Sequence, residues 1–191
     1  MTGIPGLAPI ALLVCCVPAL LKSEDRYAEF AGRYENQTFA YSAAIPGGLV
    51  GSKTKPPAPA HGFFIELPGR PETRIDVNAD YNTMDYASGR DASAGETQWF
   101  VKQCSSEVRT ESAMTTLGSL PAFRTRIRCR RRESSLLLDS IVALREAPVA
   151  SERMLAVLYS VSLVTSQEQY LADQKIFEQV LRSFQISRTK P

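Results

Sequence analysis

Histidine is nearly absent from this chain, with His61 alone among 191 residues. One imidazole can supply at most one member of a Ser-His-Asp triad or of a multi-histidine metal site. Beside Gly62, at the start of an alternating apolar stretch, His61 reads as a polar boundary residue. Cysteine is scarce as well: of four, Cys15 and Cys16 fall in an apolar N-terminal segment, leaving Cys104 and Cys129. With no CxxC, a redox dithiol or zinc knuckle lacks its usual spacing. GxSxG, the P-loop and GxGxxG are missing too. Asp76-Val77-Asn78-Ala79-Asp80 opens like a calcium loop, but Tyr81 stands where glycine is needed and Ala87 where glutamate is needed. No catalytic residue, metal ligand or cofactor is therefore expected. Two carboxylates could hydrolyse a glycoside, yet no spacing singles out a pair among the 20 acids. An uncharacterised hydrolase remains only an alternative.

Charge of one sign is also lacking. Lys plus Arg is 22 against 20 acidic residues, a net +2, which does not suit a chain built to hold nucleic acid. The apolar fraction of 44% is ordinary for a globular protein. There are no repeats or heptads, and the length suits one domain with one core.

The first charged side chain is Lys22. Leu7 to Val17 forms an apolar core, and Val17-Pro18-Ala19 offers a small, uncharged approach to cleavage, the pattern of an export signal. The basic lead of such signals is missing. A membrane-spanning helix needs about 20 apolar residues, and Pro5, Pro9 and Pro18 interrupt this stretch. We expect a signal peptide at 1–19, a short charged tether at 20–33 and a single globular domain at 34–188. The alternatives are a retained anchor, a lipidated cysteine or a buried N-terminal element. Cys15 and Cys16 follow apolar triplets as in a bacterial lipoprotein signal, but Val14 or Cys15 stands where that pattern wants Gly or Ala. The expected location is secreted or periplasmic, with envelope anchoring as the alternative. Membrane contact is expected only if the N-terminus is retained or lipidated. Asn36-Gln37-Thr38 is a glycosylation sequon, read here as unused.

In an oxidising compartment, Cys104 and Cys129 are most simply a disulfide. Closing a loop of this length is worth about 3 kcal/mol in the chain-entropy picture. Two reduced, unrelated thiols are the rival if export fails.

Lys22 to Gly32 reads as a helical turn or tether. Thr38 to Ile45 alternates Phe39, Tyr41, Ala43 and Ile45 on one side, as a half-buried strand does. Gly51 to Ala60 reads as an irregular loop. His61 to Leu67 and Thr73 to Ala79 form a hairpin about Pro68-Gly69-Arg70-Pro71, with Phe63, Ile65, Leu67, Ile75, Val77 and Ala79 inward. Ser93-Ala94-Gly95-Glu96 is a capping-box pattern predicting a helix to about Gln103, its apolar marks being Trp99 and Phe100. A second hairpin pairs Ala122–Arg131 with Leu136–Arg145. Met154 to Val164 is apolar on both faces, which suits a covered central strand. Thr165 or Ser166 is expected to cap a last helix, whose stripe is Tyr170, Phe177, Val180, Leu181 and Phe184. Grouped strands and helices give an α+β class, an α/β/α sandwich whose mostly antiparallel sheet of about six strands is flanked by helices.

Arg124, Arg126, Arg128, Arg130 and Arg132 occupy every second position. On a strand they share one face, about 7 Å apart, while Thr125, Ile127 and Cys129 face the interior. The stripe could bind an anionic ligand, an acidic partner or lipid headgroups. Alternatively it is a solvated face whose charges pair with Asp139, Glu107 or Glu111.

Three stretches carry a family resemblance: Phe39-Ala40-Tyr41-Ser42-Ala43-Ala44-Ile45-Pro46-Gly47, Leu117-Gly118-Ser119-Leu120-Pro121-Ala122 and Ile176-Phe177-Glu178-Gln179-Val180-Leu181-Arg182-Ser183-Phe184. The pattern resembles the Mog1/PsbP-like fold of many exported bacterial domains. Pro57-Ala58-Pro59-Ala60-His61-Gly62-Phe63 is similar to small secreted bacterial proteins with no assigned role. The resemblance implies accessory and binding roles rather than enzymes, and it transfers no site residue. We therefore expect a monomeric, non-catalytic binding or accessory domain with an unknown protein partner in the cell envelope and no nucleic-acid partner. Mass spectrometry of exported protein should find the Cys104 and Cys129 peptides linked; free thiols at both positions would overturn the compartment argument together with the bond.

Overall fold

A computed structural model describes residues 26–57, 61–147 and 153–187. The expected signal, cleavage site and lipidation cysteines lie outside the described residues. The strands, in chain order, are β1 (Tyr27–Phe30), β2 (Arg33–Asn36), β3 (Tyr41–Ala44), β4 (Gly51–Thr54), β5 (Gly62–Glu66) and β6 (Arg74–Tyr81). Helix α1 (Gly89–Val101) precedes β7 (Ser106–Leu117), β8 (Leu120–Arg131), β9 (Ser134–Arg145) and β10 (Val157–Ser166), and α2 (Tyr170–Ser183) is followed by β11 (Gln185–Ile186). The class is α+β with antiparallel pairing. The main sheet has eight strands rather than about six, ordered β1-β4-β5-β6-β10-β9-β8-β7, and β11-β3-β2 form a second, small sheet.

Strand β10 lies between β6 and β9, as its apolar run predicts. Its side chains alternate between faces. Tyr159, Val161 and Leu163 are buried in one cluster with Phe177, Val180 and Phe184 from α2 and its end, and with Tyr41 and Ala43 from the small sheet. Across the sheet, Ala92 of α1 packs with Val142 and Leu158, and Phe100 with Ile127, Leu136 and Leu138. The second face of β10 is less covered than expected, because Ser160 and Ser162 interrupt it and are only half-buried.

Several expectations need correction. The stretch read as a helical turn or tether contains β1, which pairs with β4. Strand β4 itself runs through the stretch read as loop. Gly51 permits this, since a Cβ there would strike Ile45 and Phe30. Helix α1 starts earlier: Ser88 is its cap, its Oγ accepting from the Asp91 N–H at 3.2 Å. Ser93, read as the cap, is buried inside the helix and its hydroxyl meets Thr125 Oγ1 at 2.8 Å. Phe100 is buried as expected, but Trp99 is exposed. Strand β7 was not foreseen; it is exposed along nearly its whole length and so carries no apolar alternation. Gln169 is the residue preceding α2, and Ser166 Oγ accepts its N–H at 3.3 Å. Thr165 instead turns inward and donates to Asp173 at 2.6 Å.

Cys104, just past α1, is bonded to Cys129 of β8, with Cα atoms 5.7 Å apart. Cys129 sits in the cluster of Phe100 and Ile127, so the bond holds the end of α1 to the sheet. Gly62 pairs with Asn78, and a Cβ there would run into the Val77 carbonyl oxygen. Gly62→Ala should therefore cost about 2 kcal/mol or more and lower the melting temperature by several degrees. An unchanged melting curve would contradict this β5–β6 packing.

Candidate functional site

The arginine stripe lies on the α2 side of β8, opposite Thr125, Ile127 and Cys129, as strand alternation requires. Arg132 does not belong to it, because β8 ends at Arg131 and Arg132 occupies the following turn with φ +56°. The other four have carboxylate partners. Arg124 forks onto the fully buried Asp139 through Nε and Nη2, both at 2.7 Å, and Nη2 also reaches Glu178 at 2.8 Å. Arg126 Nε donates to Asp139 at 3.1 Å. Arg128 pairs with Glu111 at 3.4 Å and Arg130 with Glu107 at 3.7 Å. The side-chain exposure rises along the strand, from 18% at Arg124 to 49% at Arg130. Outer pairs of this kind contribute about 0–1 kcal/mol.

Asp139 also accepts from the Tyr170 hydroxyl at 2.6 Å. Burial alone would raise its pKa, but the Arg124 fork, the Tyr170 bond and the charges of Arg124 and Arg126 outweigh burial and hold it below the usual 3.8. Tyr170 is pushed up to about 12 by burial, then by its bond to and the charge of Asp139. This cluster joins β8, β9 and α2.

The opposite face of the sheet is open where α1 does not reach. Strand register places Ser52, Phe64, Asp76, Ser162, Ser140, Thr125 and Ser112 side by side across seven strands. The Thr125 end of this row lies under α1, closed by Ser93. The row's middle members Asp76, Ser162 and Ser140 line a groove of about 650 Å³ over β6, β10 and β9. Asp76, Asn78, Ser160 and Ser162 line its floor, with Leu138 and Val164 among the apolar residues. Glu96 and Trp99 of α1 form one wall, and Trp99 is 47% exposed. Arg74 holds Asp76 through Nε and Nη2 at 2.6–3.0 Å and lies over the Phe64 ring, 3.8 Å from its centroid. Tyr27 meets Phe64 edge-on at 5.1 Å.

Burial raises the Asp76 pKa despite the Arg74 bond and charge, with Glu66 adding to the rise. Burial likewise raises Glu96, against the Tyr86 hydrogen bond and with the help of the Asp80 charge. His61 Nδ1 sits 3.2 Å from Asp80 beside an adjoining cavity of about 270 Å³ that also touches Asn78 and Glu96. Asp76, Asn78 and Asp80 form the polar face of β6. Among the described residues no group of three His, Cys, Asp or Glu side chains is arranged to hold a metal. The groove can bind a ligand through hydroxyls, an amide, a braced carboxylate and an indole. Sequence reading missed it, although Ser160 and Ser162 interrupting one face of an apolar strand were its visible signal.

The whole arrangement is a PsbP-like fold. The chain is similar to the solution structure of a cyanobacterial PsbP from Synechocystis, with a TM-score of 0.51, 14% identity, and coverage of 82% of this chain and 94% of that one. It is also similar to the crystal structure of LpqN, involved in cell envelope biogenesis of Mycobacterium tuberculosis, with a TM-score of 0.53, 10% identity, and coverage of 85% and 92%. A Bacteroides thetaiotaomicron protein matches at a TM-score of 0.51 and 9% identity over 83% of this chain and 49% of that one. No family model and no curated protein matches this chain. At these identities the likeness is one of fold.

Because the folded pKa of Asp139 lies below its unfolded value, its stabilising contribution is complete above 3.8 and is lost as pH falls through the folded value. Asp139→Asn should cost about 3 kcal/mol near neutral pH, since it leaves two arginines short of a partner. Urea unfolding of both proteins across acid pH should show the gap closing as pH drops; a gap that stays constant would remove Asp139 ionisation from the account.

Proposed function

We propose that this chain is an exported, non-catalytic binding or accessory domain of the cell envelope, and that the groove over β6, β10 and β9 is its ligand surface. One observation carries the reading. The central strand, which burial would favour filling with apolar side chains on both faces, places Ser160 and Ser162 on an open face. A polar interruption at the middle of a sheet costs core packing and is retained most simply for a ligand. The N-terminal segment supports export. The relation of fold to an envelope-biogenesis protein supports the location. We read the layers as α/β/α, with α1 over β8 and β9 and α2 over β10, and the chain as a monomer in secreted or periplasmic form. Membrane contact follows only from a retained or lipidated N-terminus, and the partner is an envelope component rather than nucleic acid.

A second proposal keeps an anionic ligand on the outer stripe, where Arg128 and Arg130 hold their carboxylates only at the surface. Recovery of partners from the native envelope fraction at low and high salt separates the two. The groove reading expects Ser162→Arg to abolish capture at both salt levels and Arg128→Glu with Arg130→Glu to leave it intact. Capture lost on charge reversal and weakened by salt would favour the stripe, and capture indifferent to Ser162→Arg would overturn the groove.

A further inference from the structure

We propose that the groove binds a neutral oligosaccharide laid across the strands, an inference that rests on the groove being the ligand surface. Its shape is the first argument. The groove floor crosses three adjacent strands, from Asp76 and Asn78 on β6 over Ser160 and Ser162 on β10 to Leu138 and Ser140 on β9. At about 4.8 Å per strand that is roughly 10 Å, a floor wide enough for about two sugar rings.

The hydrogen-bonding groups are the second. Asn78, Ser160 and Ser162 make no side-chain hydrogen bond with described residues, while they line the groove floor. They offer hydroxyl and amide groups that both donate and accept, which matches the mixed character of sugar hydroxyls. Asp76, held by the Arg74 fork, adds a fixed acceptor whose own charge is already answered.

Charge balance is the third. Arg74 offsets Asp76, and Arg131 and Glu72 stand at the margin with opposite signs. Glu96 is the one further carboxylate of the lining, and burial raises its pKa. The groove therefore lacks the concentration of one sign that would select a strongly charged ligand.

The last argument is Trp99. An indole exposed at the wall, next to a floor containing Leu138 and Val164, can cover the apolar C–H face of a pyranose while hydroxyls reach the serines. An extended peptide fits less well, because β6, β10 and β9 are internal strands whose backbone groups are already paired, so no strand can be added there.

Trp99 is the sole tryptophan, so its emission reports groove occupancy directly. The mature chain would be titrated with cello-, chito- and maltooligosaccharides from disaccharide to tetrasaccharide, followed by emission and calorimetry. At least one series should bind with a dissociation constant near 1 mM or tighter, more tightly as it lengthens and independently of salt. Trp99→Ala should weaken binding about tenfold, and Ser162→Val several-fold at unchanged melting temperature. Absence of a response from every series, or binding retained in both variants, would overturn the proposal. If sugars fail while envelope capture still depends on Ser162, the glycan class is wrong and the groove stands; if both fail, the groove reading falls as well.

Discussion

A carboxylate shut away from water dictates how the second half of this chain is assembled. Asp139 has no exposure, and a buried charge is tolerable only when its oxygens are fully engaged. The Arg124 fork, Arg126 and the Tyr170 hydroxyl supply that engagement from β8 and α2. Three residues further along the helix, the equally buried Asp173 accepts from Thr165 and Thr73 and pairs with Arg70 of the β5–β6 turn. The first turn of α2 is thereby tied to both halves of the main sheet, at the helix end where negative charge is favoured.

That commitment makes the two faces of the sheet unequal. One is filled by α2, the small sheet and a cluster of aromatic rings, among them Tyr41 stacked on Phe184. On the other, α1 packs mainly on β8 and β9 and meets β10 at Leu158, so the polar positions of β6 and β10 beyond it stay accessible. The arginines, the most conspicuous feature of the sequence, are consumed internally to a degree set by burial, strongly at Arg124 and weakly at Arg130. The groove is built from less conspicuous residues: serines, an asparagine and one indole.

Most of the core was legible because period-two alternation is local and strong. Phe63, Ile65, Ile75 and Val77 are buried where their spacing puts them, as are Tyr170, Phe177, Val180 and Phe184 of the α2 stripe, with Leu181 half-buried. The inward turn of Cys129 toward Cys104 follows from the same alternation, whereas Glu107 and Glu111, the partners of the outer arginines, lie on β7, which no alternation marks. What stayed hidden had a physical reason in each case. Edge strand β7 has no buried face to impose a pattern, and β4 is four residues of Gly, Ser, Lys and Thr whose place is set by Phe30 and Ile45 elsewhere in the chain. The Ser93 capping pattern lost to Ser88 because Ser93 found a tertiary partner in Thr125. The groove arises from register between strands remote in sequence, and no window along the chain contains it.

The same register bears on how the molecule forms. Strands β4 to β6 fold back on their immediate neighbours, as do β7 to β10, so each half is assembled from short loops. The join between them, β6 with β10, brings together positions as distant as Arg74 and Val164. Closing so long a stretch is the entropically slow part of an antiparallel topology. Asp76 and Asn78 stand on one side of that seam, Ser162 and Ser160 on the other. A chain arrested before the halves meet would carry both sets of residues and no binding surface, so the groove marks completed folding.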